Sequence, residues 1–205
     1  MRYSDFTIAD LQDKFHLVFM EDQRLFPEIS DYELPKELLA MLEEFVPLAL
    51  AIDTEKARSE LIVAPLLAKL KLNLKDISLF SGIEFNVDHK AGLSGRCGFI
   101  LSRSREQYRL DAPILMMVEA KNDNIKSGIA QCGAEMIAAQ RFNAQRQQPK
   151  NNKIDAIYGC VTTGSLWRFL KLTGNDFYID ATEYHIQTPE RIMAILASIA
   201  IGSGK

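Results

Sequence analysis

Hydrophobic residues in this chain change their spacing near residue 73. Before that point they recur at helical intervals, and after it they alternate or run in short blocks punctuated by glycine and proline. Thr7 is placed to cap a short helix through Phe15, and the leucine-rich stretch Pro35 to Ile52 predicts a second helix that Pro47 should kink or end. A third helix opens at Asp53 or Thr54, with acidic residues in its first turn, and carries Leu61, Ile62, Leu66, Leu67 and Leu70 on one broad side. Pro65 inside that run predicts a kink.

Beyond Asn73 the elements become strands. Ile83, Phe85 and Val87 alternate with Glu84, Asn86 and Asp88, which predicts a first strand. A loop bearing Gly92 and Gly95 leads to a second over Cys97 to Leu101. Pro113 to Val118 is apolar on both parities, as a central strand covered on both faces must be. A helix follows from about Ile125 to Phe142, and its small residues (Gly128, Ala130, Gly133, Ala134, Ala138, Ala139) would let it lie close on a sheet. Gln145 to Lys153 reads as a polar loop. Ala156 to Val161 and Leu166 to Leu172 form a hairpin, with Trp167, Phe169 and Tyr158 as packing residues. A short strand near Phe177 and a helix starting at Thr188-Pro189 complete the chain. The predicted fold class is α/β, with a helical extension over residues 1–52 packed on a domain of residues 53–205.

Composition adds exclusions. With 205 residues, 47% of them hydrophobic and 25% charged, the chain can bury a sizeable core. A net charge of −3 argues against a coating or histone-like role, so any nucleic-acid contact must come from a local basic patch. The three cysteines, Cys97, Cys132 and Cys160, form no CxxC pair and predict neither zinc nor disulfides. Acidic residues near the start and apolar runs too short to span a bilayer predict a cytoplasmic chain with no membrane contact.

The sharpest chemical feature is Glu119-x-Lys121, where the central strand ends. Residues two apart on a strand face the same side, so a carboxylate and an ammonium project together. Such a pair suits phosphodiester hydrolysis, because the carboxylate can hold a hard cation and the lysine can stabilise developing negative charge.

Glu60 on the preceding helix, the acidic hairpin, Glu119-x-Lys121 on the third strand and Gln131 on the next helix come in an order that resembles the PD-(D/E)XK nuclease superfamily. The segments RSELIVAPLL (58–67) and LMMVEAKN (115–122) look most like the N-terminal nuclease domain of type I restriction enzyme motor subunits and small cyanobacterial-type relatives. The resemblance spans roughly Asp53 to Leu172. It implies a restriction-endonuclease-like αβββαβ core with a mixed central sheet flanked by helices. It also implies Mg²⁺- or Mn²⁺-dependent endonuclease hydrolysis of DNA, and possible motor or methyltransferase partner subunits. On this resemblance Glu119 is a metal ligand, Lys121 the catalytic lysine, Glu60 a further ligand and Gln131 the helix glutamine.

Two positions depart from the family pattern. Glu135 stands where relatives often carry a tyrosine, and Gly98, in GRCGFIL, stands where a metal-binding aspartate is expected. In an antiparallel meander position 98 should neighbour Glu119. Asp88 is a candidate substitute ligand, whereas Asp111 would lie roughly 25 Å away at the opposite strand end. A two-carboxylate site holds a divalent ion weakly. The expectation is therefore a nuclease-like domain impaired by Gly98. The alternatives are a catalytically degenerate nucleic-acid-binding or protein-interaction module of the same fold, and an unrelated α/β domain in which the motif is only a salt-bridged strand end.

A nucleic-acid surface would draw on Arg103, Arg105 and Arg109 in one loop, and on Lys126, Arg141, Arg146, Lys150 and Lys153 on and after the long helix. The three histidines are too scattered for a metal site, and there is no Walker-type phosphate loop.

Overall fold

The computed structural model describes residues 1–30, 32–146 and 154–202. Lys150, Lys153 and most of the loop expected over Gln145 to Lys153 lie outside the described residues.

The chain opens with a 3-10 turn (Tyr3–Asp5) and α1 (Ile8–Phe15), whose Thr7 cap accepts a hydrogen bond from Asp10 N at 3.1 Å. A short strand, β1 (Val18–Met20), precedes α2 (Lys36–Ile52). Helix α2 continues through Pro47 and does not end there. Pro47 and Glu43 lie on the exposed side, where water can satisfy the carbonyl that proline leaves without a donor.

The next helix is continuous in three parts: α3 (Glu55–Arg58), a π-helical turn (Ser59–Val63) and α4 (Ala64–Asn73). Pro65 explains the π turn. It has no N–H to give the helix ladder, and the ladder widens just before it, with Ala64 N bonding back to Ser59 O.

The strands form one mixed eight-stranded sheet, the main path running β1-β7-β6-β5-β4-β3-β2. These are β2 (Ser78–Ser81), β3 (Phe99–Ser102), β4 (Ile114–Ala120), β5 (Ile157–Thr162), β6 (Leu166–Thr173) and β7 (Asp176–Ile179), with β8 (Tyr184–His185) pairing β6. β4 and β5 are parallel, joined across α5 (Ile125–Gln145), and β1 pairs β7 in parallel. Helix α6 (Pro189–Ile201) ends the description.

Two expectations change here. Ile83 to Asp88 is not a strand of the sheet; β2 takes that place earlier, at Ser78. The alternating segment instead folds into an irregular arm, bridged at Glu84–Arg96 and Asp88–Leu93 and interrupted where Gly92 and Gly95 take positive φ. The N-terminal segment is also more than a helical extension, because β1 extends the sheet edge and Tyr3 and Leu11 join the core.

Parity along the strands sorts the core into two layers. Phe99, Leu101, Met116 and Val118 face α2, α4 and α6 on one side of the sheet, where Trp167, Phe169 and Tyr158 also pack. Ile100 and Met117 face α1 and α5 on the other. Glu119 and Lys121 share the parity of Met117, so both point to the α5 side.

Helix α5 approaches closely because of its glycines. A Cβ on Gly128 would overlap Val161 Cγ1 and come within 3.0 Å of Lys121 Cγ. Replacing an interior helical glycine by alanine normally gains up to about 1 kcal/mol, but overpacking costs about 1–3 kcal/mol, so the clash should win. Gly128→Ala is expected to lower the thermal midpoint by a few degrees, measured by circular dichroism; an unchanged or higher midpoint would contradict this packing.

Candidate functional site

The site forms where β4 ends against α5, because a strand that is buried on both faces must release its polar residues at its last positions. All seven residues of β4 are buried, and Glu119 is 4% exposed. Such a carboxylate needs donors. β3 pairs antiparallel with β4, Phe99 opposite Val118, which sets Gly98 opposite Glu119 as the meander required. Gly98 N donates to Glu119 Oε1 at 2.7 Å. The glycine does more than lack a carboxylate, because a Cβ at position 98 would stand 2.6 Å from Val118 O and 3.3 Å from Glu119 Oε1. Restoring an aspartate here would require the two strands to move apart.

Lys121 N donates to Thr162 O at 2.8 Å, which carries the lysine just past the strand. Its Nζ donates to Gln131 Oε1 at 2.8 Å and lies 4.0 Å from Glu119 Oε2 and 3.9 Å from Glu55 Oε2. Gln131 Nε2 in turn donates to Glu135 Oε1 at 3.2 Å. One helical turn separates Gln131 from Glu135, so both side chains reach the same end of β4.

Glu135 is fully buried, and its Oε2 has no donor. An ionised carboxylate in that position would be a bare charge in the core. Burial raises the pKa of both acids. Glu135, which also feels the negative charge of Glu119 and hydrogen-bonds to it, is raised furthest. Hydrogen bonds from Glu135 and Gly98, and the nearby Lys121, favour the ionised form of Glu119. Of the two acids, Glu135 is the one whose surroundings favour the protonated form more strongly. Cys97 and Cys132 lie against this pair, and burial pushes both thiols well up, so they remain neutral.

Arg58, at the end of α3, ties the site's borders together. Its Nε donates to Asn122 Oδ1 at 3.1 Å, Nη1 to Thr163 O at 2.7 Å and Nη2 to Asp53 Oδ1 at 2.9 Å. One guanidinium thus joins the segment after β4, the β5–β6 turn and the start of α3.

A cleft of about 520 Å³ opens over these groups, lined by Glu55, Glu60, Gly98, Glu119 and Gln131 among others. Of the expected residues, Glu119, Lys121 and Gln131 converge. Glu60 borders the same cleft but is exposed and ion-paired to Lys56 at 2.8 Å; Glu55 is the carboxylate that approaches Lys121.

Asp88 is not brought to the site. It binds Arg141 Nη1 at 2.7 Å and accepts from Ala91 N at 3.0 Å, and Arg141 lies ten residues beyond Gln131, about 15 Å along α5. That ion pair also occupies Arg141 as a candidate phosphate contact. Arg103 and Arg105 follow β3, at the end where Ser102 pairs Ile114, about 17 Å from Glu119. Arg105 is ion-paired with Asp76 there. Lys126, exposed in the first turn of α5, remains at the site end of that helix.

The resemblance implied a divalent cation, but the donors present do not form a ready cage for one. Gly98 supplies only an N–H, one oxygen of Glu119 already accepts it, and the Lys121 ammonium stands close to both Glu119 and Glu55. Among the described residues no three His, Cys, Asp or Glu side chains gather as a metal-holding group.

Glu135, Glu55 and Arg58 are the site residues that sequence reasoning did not assign. The four-residue spacing from Gln131 to Glu135 on a helix was a readable signal; nothing local marked the reach of Glu55 or Arg58. Comparison of the chain with protein-family models, curated proteins and solved structures finds no match in any of the three. No helix among the described residues is long and apolar enough to cross a membrane.

Two outcomes are expected. Burial raises the pKa of Glu135 in the fold above its ordinary value of 4.5, so the folded chain retains this proton to higher pH than the unfolded chain does. Stability should therefore fall as pH rises above that value, by up to about 1.4 kcal/mol per pH unit. Glu135→Gln keeps an N–H donor in place of the acid, so its melting temperature should exceed wild type near about pH 8 and converge with it toward about pH 4. A pH-independent gap between the two would show Glu135 to be ionised in the fold. Arg58→Ala should destabilise by about 2–4 kcal/mol in urea unfolding, because its half-buried partners lose a charged donor.

Proposed function

We propose that this domain is a restriction-endonuclease-like module that binds nucleic acid at the Glu119–Lys121 cleft and is impaired in cutting it. The helix α3–α4, the strands β2, β3 and β4, the helix α5 and the strand β5 follow the αβββαβ order expected of that fold. Lys121 is the cation placed for a backbone phosphate, with Gln131 orienting it. The observation that carries the reading is the register at Gly98. A backbone N–H occupies the place opposite Glu119 where a second carboxylate would sit, with no room for a side chain. Neutralisation of Glu119 by Lys121 and the proton on Glu135 further reduces the negative charge available to a cation.

Metal-dependent phosphodiester hydrolysis, with Mg²⁺ or Mn²⁺, is the second reading. It is favoured by an open cleft lined by Glu119, Gln131, Glu55 and Glu60, with Lys121 hydrogen-bonded to Gln131 beside it.

One experiment separates these readings. Labelled single-stranded and duplex DNA is incubated with the protein in Mg²⁺ or Mn²⁺, and cleavage and binding are measured together. Binding without cleavage, weakened about tenfold by Lys121→Ala, is the expected result; that factor corresponds to one charge-assisted contact of about 1.4 kcal/mol. Metal-dependent cleavage abolished by Lys121→Ala would establish the second reading. Absence of both binding and cleavage would overturn the two together. Gly98→Asp is not a clean restoration, because its Cβ meets the β4 backbone.

A further inference from the structure

A second groove, of about 550 Å³, adjoins the cleft, and Arg96 and Gln131 border both. Its walls come from three parts of the chain. The N-terminal 3-10 turn supplies Arg2 and Ser4, the irregular arm supplies Asn86, His89 and Arg96, and α5 supplies Gln131. Tyr3 locks the first wall to the second, its N donating to Ser94 O at 3.2 Å and its hydroxyl to Phe85 O at 2.8 Å.

Charge divides the combined trough. At one end Glu55, Glu60 and Glu119 line the cleft and repel phosphate, the cations on that lining being Lys56 and Arg96, with Lys121 reached through its hydrogen bond to Gln131. At the other end Arg2, Arg96 and His89 present donors, and Glu84 is the one carboxylate among the described lining residues. Glu84 contacts Arg96 at 3.4 Å with both side chains largely exposed, so that pair is weak and its guanidinium can turn to a better acceptor. Arginine presents a planar fork that matches a phosphate's oxygens.

We propose that the groove between the N-terminal turn and the irregular arm is a backbone-phosphate subsite. Arg2 and Arg96 hold a nucleic-acid strand there as it passes Gln131 toward Lys121. This subsite rests on the nucleic-acid-binding reading above and replaces Arg103 and Arg105, at the far end of the sheet, as the basic surface serving the site. Strand polarity contacts of this kind read no bases, so binding should be independent of sequence and steeply salt-dependent.

The test is fluorescence anisotropy with a labelled oligonucleotide, as a single strand and as its duplex, in EDTA over a range of salt concentrations. The variants are Arg2→Ala/Arg96→Ala, Lys121→Ala and, as a control at the far end, Arg105→Ala. The double variant should bind roughly tenfold or more weakly, and its log-affinity against log-salt slope should shrink by about 1.5, the loss expected for two phosphate contacts. Arg105→Ala should match wild type, and thermal unfolding should be unchanged because both substituted arginines are exposed. Preference for the single strand or the duplex identifies the form taken, and either supports the subsite. Wild-type affinity and slope in the double variant, with weakened binding in Lys121→Ala, would overturn the subsite and leave the proposed function standing. No binding by the wild type to either oligonucleotide would overturn both.

Discussion

A carboxylate at the end of a strand covered on both faces has to be neutralised or hydrogen-bonded where it stands, and the neighbourhood of Glu119 is organised by that requirement. Water cannot reach it freely, so its partners must be built into the fold. The antiparallel register of β3 brings the Gly98 N–H to one oxygen, α5 brings Glu135, whose pKa burial raises, and the residue two along the strand brings the Lys121 ammonium. Each partner imposes a further condition. Gly98 has to lack a side chain, α5 has to lie close enough for Gln131 and Glu135 to reach the strand end, and Gly128 permits that approach.

The same arrangement reshapes the chemistry expected from the motif. A carboxylate held by an N–H, an acid proton and an ammonium is already satisfied within the protein. The lysine is itself largely buried, 17% exposed, and what opens toward solvent is the neighbouring cleft bordered by Glu55 and Glu60. Those built-in partners leave Glu119 with less uncompensated charge than a solvated carboxylate carries. Gly98 accordingly suits the strand pair, since the backbone N–H it exposes is in use by Glu119.

Much of the framework was legible along the chain. The apolar run before Glu119 marked a central strand because both its parities must face a core. The i, i+2 rule placed Glu119 and Lys121 on one side, and the small residues of the long helix announced its close packing. The errors have local physical explanations. Ile83 to Asp88 alternates as a strand does, but glycines with positive φ bend it away from the sheet into an arm that forms one wall of the groove. Pro47 was expected to kink or end α2, and the helix continues through it, with the proline on the solvent side where its missing hydrogen bond costs little. Asp88 looked free to act as a ligand until Arg141, distant in sequence, met it.

By itself the sequence determined the α/β character, the central strand, the shared face of Glu119 and Lys121 and the absence of a side chain at position 98, since each follows from residue type and spacing over a few positions. Only the tertiary structure decided that Glu135 is buried beside Glu119, that Glu55 rather than Glu60 approaches the lysine, and that Arg2 and Arg96 border one groove. Those facts depend on which strands pair, in what register, and how closely a helix can settle on them. Such distances are set by packing between segments tens of residues apart, and no local pattern encodes them.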